Sequence, residues 1–344
     1  MPAPARTERA ATFEAPPNIA LVKYWGVRDP ARALPYNSSL SVTLGRFRSR
    51  TRVRFDPALA EDRVMINAAP AGGGPRKGVV DFLDRVRELA HLPDRADVVS
   101  ENNFPTASGL ASSASGFAAL AGAGSRAAGL RLSPRALSQL ARFGSGSASR
   151  SIFGGFVEWQ AGSRKDGADC FARPLFGPDH WPDLVDLVIF VKGAPVKEVR
   201  SAQAMQWTVS TSPRYAARLR EVPGRLARMR SALRNRDADH LFPLVMEECD
   251  SFREVCETTR PALDYLTSTS RAILGEVRQL NREAGRSVAA YTHDAGAHVH
   301  VFTLTPRLPR VRARLAHLAG VQGTLVVRPG PGAHAVEPVR GRRR

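Results

Sequence analysis

Ser100-Glu-Asn-Asn-Phe-Pro-Thr-Ala-Ser-Gly-Leu-Ala-Ser-Ser-Ala-Ser-Gly-Phe-Ala-Ala-Leu-Ala-Gly122 is the stretch on which the fold turns. Val98 and Val99 end a strand, Pro105 to Gly109 make a turn, and Leu110, Phe117 and Leu120 then recur at helical spacing. A Gly/Ser turn that opens a helix gathers backbone N–H groups at the positive end of the helix dipole, an arrangement suited to a polyphosphate. Ser108, Ser112 and Ser113 add hydroxyls for phosphate oxygens or a Mg²⁺ ion. Neither G-x-x-x-x-G-K-[ST] nor G-x-G-x-x-G occurs, which excludes the Walker and Rossmann phosphate loops. The plainer alternative is a helix of small residues packed closely on a sheet.

Outward from this stretch, strands are expected at 12–16, 39–44, 51–55, 63–67, 155–160, 184–191, 287–292, 299–304 and 324–327. Residues 68–75, with Ala71-Gly-Gly-Gly-Pro75, read as a flexible loop, and 79–89 as a helix. Ser133 caps a helix that runs to Phe143, and Leu308–Leu318 is helical. Between 199 and 285 the chain is rich in helix, with breaks expected at Pro213, Pro223-Gly224 and Pro261. There Arg214, Arg218, Arg225 and Arg228 fall at helical spacing and read as a solvated face, while Cys249 and Cys256, seven apart, read as core thiols. The pattern is α+β, and 344 residues suit two lobes: 1–190, 191–330, and a basic tail at 331–344.

The formal charge is +18, yet only five of the 50 basic residues are lysine and the arginines are scattered along the chain. That distribution argues against one basic face for nucleic acid and for attraction of anionic metabolites. With no apolar h-region near the start, no long apolar run and three widely spaced cysteines, a cytoplasmic location and no disulfide framework are expected. His298 and His300 alternate onto one strand face beside His293, but no Cys or carboxylate spacing elsewhere supports a metal site.

Two further stretches carry chemistry. Asn18-Ile-Ala-Leu-Val-Lys-Tyr-Trp-Gly26 sets a lysine in an apolar segment of a chain that otherwise writes arginine, which points to a need for a compact ammonium. A snorkelling surface lysine is the ordinary alternative. Ser287-Val-Ala-Ala-Tyr-Thr-His-Asp-Ala-Gly296 ends an apolar strand in an acid and a glycine turn, either a carboxylate placed for catalysis or a turn cap.

Taken together, Asn18–Asp29, Asn37–Leu44, Asn102–Leu120, Ser145–Gly155 and Ala290–Gly296 resemble the diphosphomevalonate decarboxylase family, a branch of the galactokinase, homoserine kinase, mevalonate kinase and phosphomevalonate kinase superfamily. Five motifs in the right order are more specific than any one. The resemblance implies a two-lobed fold, with an N-terminal lobe like ribosomal protein S5 domain 2 and a ferredoxin-like C-terminal lobe. It also implies ATP and Mg²⁺ as cofactors, and a homodimer. The implied reaction moves the γ-phosphoryl group of ATP to the 3-hydroxyl of mevalonate 5-diphosphate, then expels phosphate and CO₂ to give isopentenyl diphosphate. A 3-hydroxy acid has no carbonyl to receive the electrons of decarboxylation, so phosphorylation must first make a leaving group.

By the same resemblance Asp294 is the catalytic aspartate, Lys23 the lysine that keeps it ionised, and Arg150 the arginine that grips the C1 carboxylate. Ser145 and Ser147 belong to the loop of Arg150, and Tyr24 and Arg76 to the phosphate end of the substrate. Ser100, Asn102, Ser108, Gly109, Ser112 and Ser113 fall on the nucleotide side. The chain departs from the family pattern at Val27, which replaces a lysine assigned to the diphosphate. It departs again at Val199-Arg-Ser201, which brings Arg200 beside Ser201 near the same phosphates, and at His293 and His298 around the catalytic turn. These changes leave 5-phosphomevalonate open as the substrate. A kinase lacking the decarboxylation step and a non-catalytic basic binder fit the intact Asp294, Lys23 and Arg150 less well.

Overall fold

In the computed structural model, residues 9–104, 112–194 and 199–337 are described. Two larger sheets and a two-stranded ribbon, Val27–Asp29 with Leu34–Pro35, build the N-terminal lobe among the described residues. The first has six strands in the order His334–Ala335, Ala10–Ala15, Ser49–Asp56, Arg95–Asn102, Arg63–Ile66 and Ala69–Pro70. Only Arg63–Ile66 and Arg95–Asn102 run parallel; the other pairs are antiparallel. The Ser112–Ala127 helix lies on one face through Ala118, Ala119, Ala121 and Ala123, all buried. Small side chains let helix and sheet approach closely: a Cβ on Gly122 would stand 2.2 Å from the ring of Phe13. The plainer reading of this stretch thus holds, and the closely packed helix has Ser112 and Ser113 in its first turn. Residues 105–111, with Ser108 and Gly109, lie outside the described chain.

The second sheet has the order Ala172–Phe176, Phe156–Trp159, Ser39–Thr43, Asn18–Val22, all antiparallel. The third, of the C-terminal lobe, has the order Ala289–Thr292, Val299–Leu304, Leu184–Val191, Val321–Val327. Leu184–Val191 is thus interior to the later sheet, paired with strands on both sides. We therefore propose a lobe boundary ahead of Leu184 rather than at 190. Helices Ala238–Glu257, Ser268–Ala284 and Leu308–Ala316 flank this sheet, and Tyr215–Asn235 packs on Ala238–Glu257 and the Asn18–Val22 strand.

Several expectations are corrected. Residues 68–75 are not one loop: Ala69–Pro70 adds an edge strand, and a helix starts at Gly73 and runs to Ala90, with Pro75 tolerated in its first turn. The Tyr215–Asn235 helix passes through Pro223 without ending. Its Val222, Leu226, Met229 and Leu233 are buried in the largest core cluster, and each such side chain contributes about 1.5–3 kcal/mol, enough to offset the roughly 3 kcal/mol that an internal proline costs. On that helix Arg218 and Arg225 are not solvated: their side chains are 1% and 3% exposed and meet Glu248 of the Ala238–Glu257 helix. Residues 144–150, expected as a loop before the strand at 155–160, are not simply one, since Ala148–Ser151 forms one helical turn. Cys170, Cys249 and Cys256 are buried, and among the described residues they form no disulfide.

Residues 328–335, grouped in part with a tail, return to the first lobe as a strap. Gly45 N–H donates to Arg328 O at 3.0 Å, Gly155 N–H to Gly330 O at 3.0 Å, and Ala333 N–H to Ser151 O at 3.1 Å. At the crossing the backbones of Gly45 and Gly330 touch, and a Cβ on Gly330 would fall 2.3 Å from Gly45 Cα. His334–Ala335 then pairs with Ala10–Ala15. Among the described residues no helix is long and apolar enough to cross a membrane.

Candidate active site

The Asn18–Val22 strand is buried along its whole length and delivers Lys23 to the interior. There the ammonium donates to Ala20 O and to Asp294 Oδ1, each at 2.8 Å. The lysine is thus a buried partner and not a snorkelling surface cation. Asp294 follows the Ala289–Thr292 strand in a tight turn in which Gly296 N–H donates to Asp294 O at 2.7 Å. Its side chain keeps 25% exposure, and among the described residues Oδ2 accepts no hydrogen bond. Burial pushes this carboxyl up, but the charge and hydrogen bond of Lys23, with His300 and Arg150 nearby, outweigh it and hold the carboxyl below its usual range. The outcome is an ionised carboxylate with one oxygen open.

Arg150 sits in the Ala148–Ser151 turn, 2% exposed. Nε and Nη2 donate to Asn18 Oδ1 at 3.1 and 3.0 Å, and Nη1 donates to Ser39 Oγ at 2.7 Å. These are neutral acceptors, and they use three of the five N–H donors of a guanidinium, leaving one on each terminal nitrogen. Desolvation drives its pKa down to about 10, with Asp294 and Tyr24 acting against the fall. Asn18 is itself fixed, donating to Ser147 O at 3.1 Å and Ser151 Oγ at 2.8 Å.

Around this centre Ser145 Oγ lies 3.1 Å from Ser147 Oγ and 3.4 Å from Ser113 Oγ, so the loop of Arg150 meets the start of the Ser112–Ala127 helix. Tyr24 packs edge-on against Trp159, with ring centroids 4.8 Å apart, and a Cβ on Gly146 would strike both rings. Ser100 and Asn102 stand on the Arg95–Asn102 strand with their side chains engaged: Ser100 Oγ is 2.9 Å from Thr51 Oγ1, and Asn102 Oδ1 accepts from Ser49 Oγ. Ser49 Oγ is also 2.7 Å from Ser115 Oγ, which ties that strand to the helix.

A third group gathers at the start of the Gly73–Ala90 helix. Arg76 donates from Nη2 to Glu61 Oε2 at 2.8 Å and Asp62 O at 3.0 Å. Arg200, which precedes the Ser201–Thr211 helix, lays its guanidinium against Gly74, where a Cβ would come within 3.1 Å of Nη1. Val27 and Val199 pack against one apolar cluster with Trp25 and Tyr215. His293, His298 and His300 do not converge: His293 Nδ1–H donates to Asp294 O at 2.7 Å, His298 Nδ1 accepts from Val191 N–H at 3.1 Å, and His300 Nδ1–H donates to Asp186 Oδ2 at 2.6 Å. Among the described residues no three His, Cys, Asp or Glu side chains form a metal cluster.

Reading the sequence for chemistry passed over the residues that hold these groups. Asn18 and Ser39 cradle Arg150, Asn37 Nδ2 donates to Lys23 O at 3.0 Å, and Glu248 Oε1 accepts from Lys23 N–H at 2.9 Å. Asn18 and Asn37 each open a stretch that carries the family resemblance, which is the available signal; Glu248 has none.

The fold and the side chains it brings together define a two-lobed enzyme of the small-molecule kinase type. Residues 15–172 match the diphosphomevalonate decarboxylase-like N-terminal domain, and residues 187–327 the mevalonate 5-diphosphate decarboxylase C-terminal domain. The diphosphomevalonate decarboxylase of Aspergillus fumigatus is 41% identical over 315 residues, covering 87% of this chain and 78% of its own. The human enzyme is 38% identical over 367 residues, 96% of this chain and 89% of its own. The crystal structure of mevalonate diphosphate decarboxylase from Staphylococcus aureus superposes with a TM-score of 0.89 at 32% identity, covering 96% of this chain and 99% of that one. A structure of MDDEF in complex with MVAPP, AMPPCP and magnesium gives a TM-score of 0.89 at 36% identity, over 96% and 100% of the two chains. The chain belongs to the diphosphomevalonate decarboxylase family.

Proposed function

We propose that this chain catalyses the ATP-dependent decarboxylation of mevalonate 5-diphosphate to isopentenyl diphosphate. The observation that carries the reading is a buried arginine bonded only to neutral oxygens among the described residues, beside an aspartate held ionised by a buried lysine. Asp294 Oδ2 takes or orients the proton of the 3-hydroxyl as that oxygen attacks the γ-phosphoryl group. Arg150 offers its two remaining N–H groups to the C1 carboxylate and holds the C1–C2 bond for cleavage. When that bond breaks, its electron pair forms the C2–C3 double bond, the C3–O bond breaks, and phosphate and CO₂ depart.

Mg²⁺ demands few protein ligands when phosphates supply the rest, and the donors present suit it: hydroxyls of Ser112 and Ser113 at a helix start. When bound, Mg²⁺ would neutralise charge on the nucleotide phosphates. Arg200 against Gly74, on the helix of Arg76, supports a diphosphate at the far end of the substrate, since it supplies a cation that Val27 does not. The apolar setting of Val27 is what keeps 5-phosphomevalonate as a second reading. We place the enzyme in the cytoplasm as a homodimer, a state that sedimentation would check.

The test is one incubation with ATP and Mg²⁺ and each of mevalonate, its 5-phosphate and its 5-diphosphate, with CO₂ and ADP scored separately. Equal ADP and CO₂ from the diphosphate are expected. A preference of more than about tenfold for the monophosphate overturns the substrate, and ADP without CO₂ overturns the decarboxylation.

A further inference from the structure

Lys23 is tied down at four points. Beyond its two ammonium bonds, its carbonyl accepts from Asn37 Nδ2 and its amide N–H donates to Glu248 Oε1. Glu248 comes from the Ala238–Glu257 helix, is wholly buried, and reaches across from the C-terminal lobe. Its Oε1 also accepts from Arg218 Nη2, and Oε2 accepts from Arg225 Nη1 at 2.6 Å. Arg218 is further bonded to Ser251 Oγ at 3.2 Å and Arg225 Nε to Glu247 Oε1 at 3.1 Å.

Three charges buried together are poor evidence of stability, because apolar side chains of similar volume hold helices as well or better. An apolar side chain at 248 could not, however, accept the amide proton of Lys23. That amide follows the irregular end of the Asn18–Val22 strand, where pairing with Ser39–Thr43 shifts register between Ala20 and Val22. The strand ladder alone therefore does not set the direction of the lysine.

We propose that Glu248 is a positioning residue for the reaction: through the backbone amide of Lys23 it fixes the ammonium against Asp294. Arg218 and Arg225 serve to keep that carboxylate ionised and oriented. The inference rests on Asp294 being the catalytic carboxylate. The charged and titratable groups around Asp294 are Lys23, Arg150, His300 and the neighbouring His293.

Two charge-matched double variants test it. Arg218→Met with Glu248→Gln keeps an oxygen for the Lys23 amide, whereas Arg218→Met with Glu248→Met removes it; both leave Arg225 as the cation. The methionine double is expected to lose about 10²-fold in kcat relative to the glutamine double, the scale of an ångström of misplacement. Its acid limb in kcat/KM should move to higher pH, because a carboxylate that loses its ammonium is easier to protonate. Equal kcat and an equal acid limb in the two doubles overturn the proposal. If the methionine double does not fold, Glu248→Asp keeps every charge and shortens the reach by one methylene: the same upward movement supports the proposal, and an unmoved limb overturns it. Asp294→Asn, run alongside, separates the two failures. If it keeps more than about a tenth of wild-type kcat, the role of Asp294 is wrong; if it is inactive while the doubles agree, the role of Glu248 is wrong.

Discussion

Two sets of buried arginines in this molecule are solved in opposite ways. Arg218 and Arg225 meet a carboxylate, Glu248, buried as deeply as they are. Arg150 is equally inaccessible but is bonded to an amide oxygen and a hydroxyl, with no carboxylate in contact among the described residues. The electrostatics follow. At Arg225 burial lowers the pKa, but Glu248 and Glu247 outweigh it and the group ends above its usual value. At Arg150 burial prevails and the pKa falls to about 10. A cation neutralised in place leaves a buried carboxylate behind when it is removed; a cation bonded only to neutral oxygens leaves none.

The sharpest way to break the contrast is Arg150→Met. Turnover should fall by about 10³-fold or more, while resistance to denaturant stays equal or rises, because an uncompensated buried charge is removed. A clear loss of stability would place Arg150 with the structural pair. Arg150→Lys should cost roughly 10²-fold in kcat, since one ammonium cannot make two parallel bonds to a carboxylate. Arg218→Met should behave in the opposite sense, with a stability loss of about 3–5 kcal/mol in denaturant titration, because Glu248 is left short of a partner in the interior.

A smaller effect concerns a buried base kept neutral. His293 is driven from 6.5 to about 4, first by burial and then by the charge of Lys23. Its folded pKa lies below the unfolded one, so the unfolded chain binds the extra proton and stability is lost as pH falls from about 6.5 toward 4. His293→Phe should remove about 2–3 kcal/mol of that acid loss and lower the midpoint of acid unfolding, with little change at pH 7. An unmoved midpoint would show that another group sets the acid limit. The smallest effect belongs to an exposed arginine: Arg200→Ser should raise KM for the diphosphate about tenfold with kcat nearly constant, and Val27→Lys in that background should recover part of it. A fall in kcat of the same size would move Arg200 from binding to the chemical steps.

What the sequence disclosed and what it withheld follow from the reach of local patterns. Strand positions such as Leu184–Val191 and Val299–Leu304 were readable because short runs dominated by Val, Leu, Ile and Phe mark a buried strand even where Asp186 and His300 interrupt them. Ser133 was readable as a cap, and its Oγ does accept from Ala136 N–H at 3.2 Å. The contact of Lys23 with Asp294 was readable only through motif resemblance, since 271 positions separate them. Arg218 and Arg225 failed as a solvated face because helical spacing tells which residues share a side, and says nothing of whether that side meets water or a carboxylate on the next helix. Glu248 was invisible for the same reason: the oxygen that accepts from Lys23 lies 225 positions away and belongs to no local pattern. Gly73 and Gly74 read as a loop on composition, yet the buried Phe82, Leu83 and Val86 further along draw the chain into a helix from its glycines onward.

The strap at 328–335 has a consequence for the order in which the protein can be made. Synthesis delivers Lys23 and Arg150 early, but the carbonyl that receives Gly155 N–H, the amide that binds Ser151 O and the edge strand beside Ala10–Ala15 all lie between Gly330 and Ala335. A nascent chain halted after the second lobe's last long strand, Val321–Val327, would have Lys23, Arg150 and Asp294 and still lack the backing of the turn that carries Arg150. The first lobe to leave the ribosome is therefore the last to be completed.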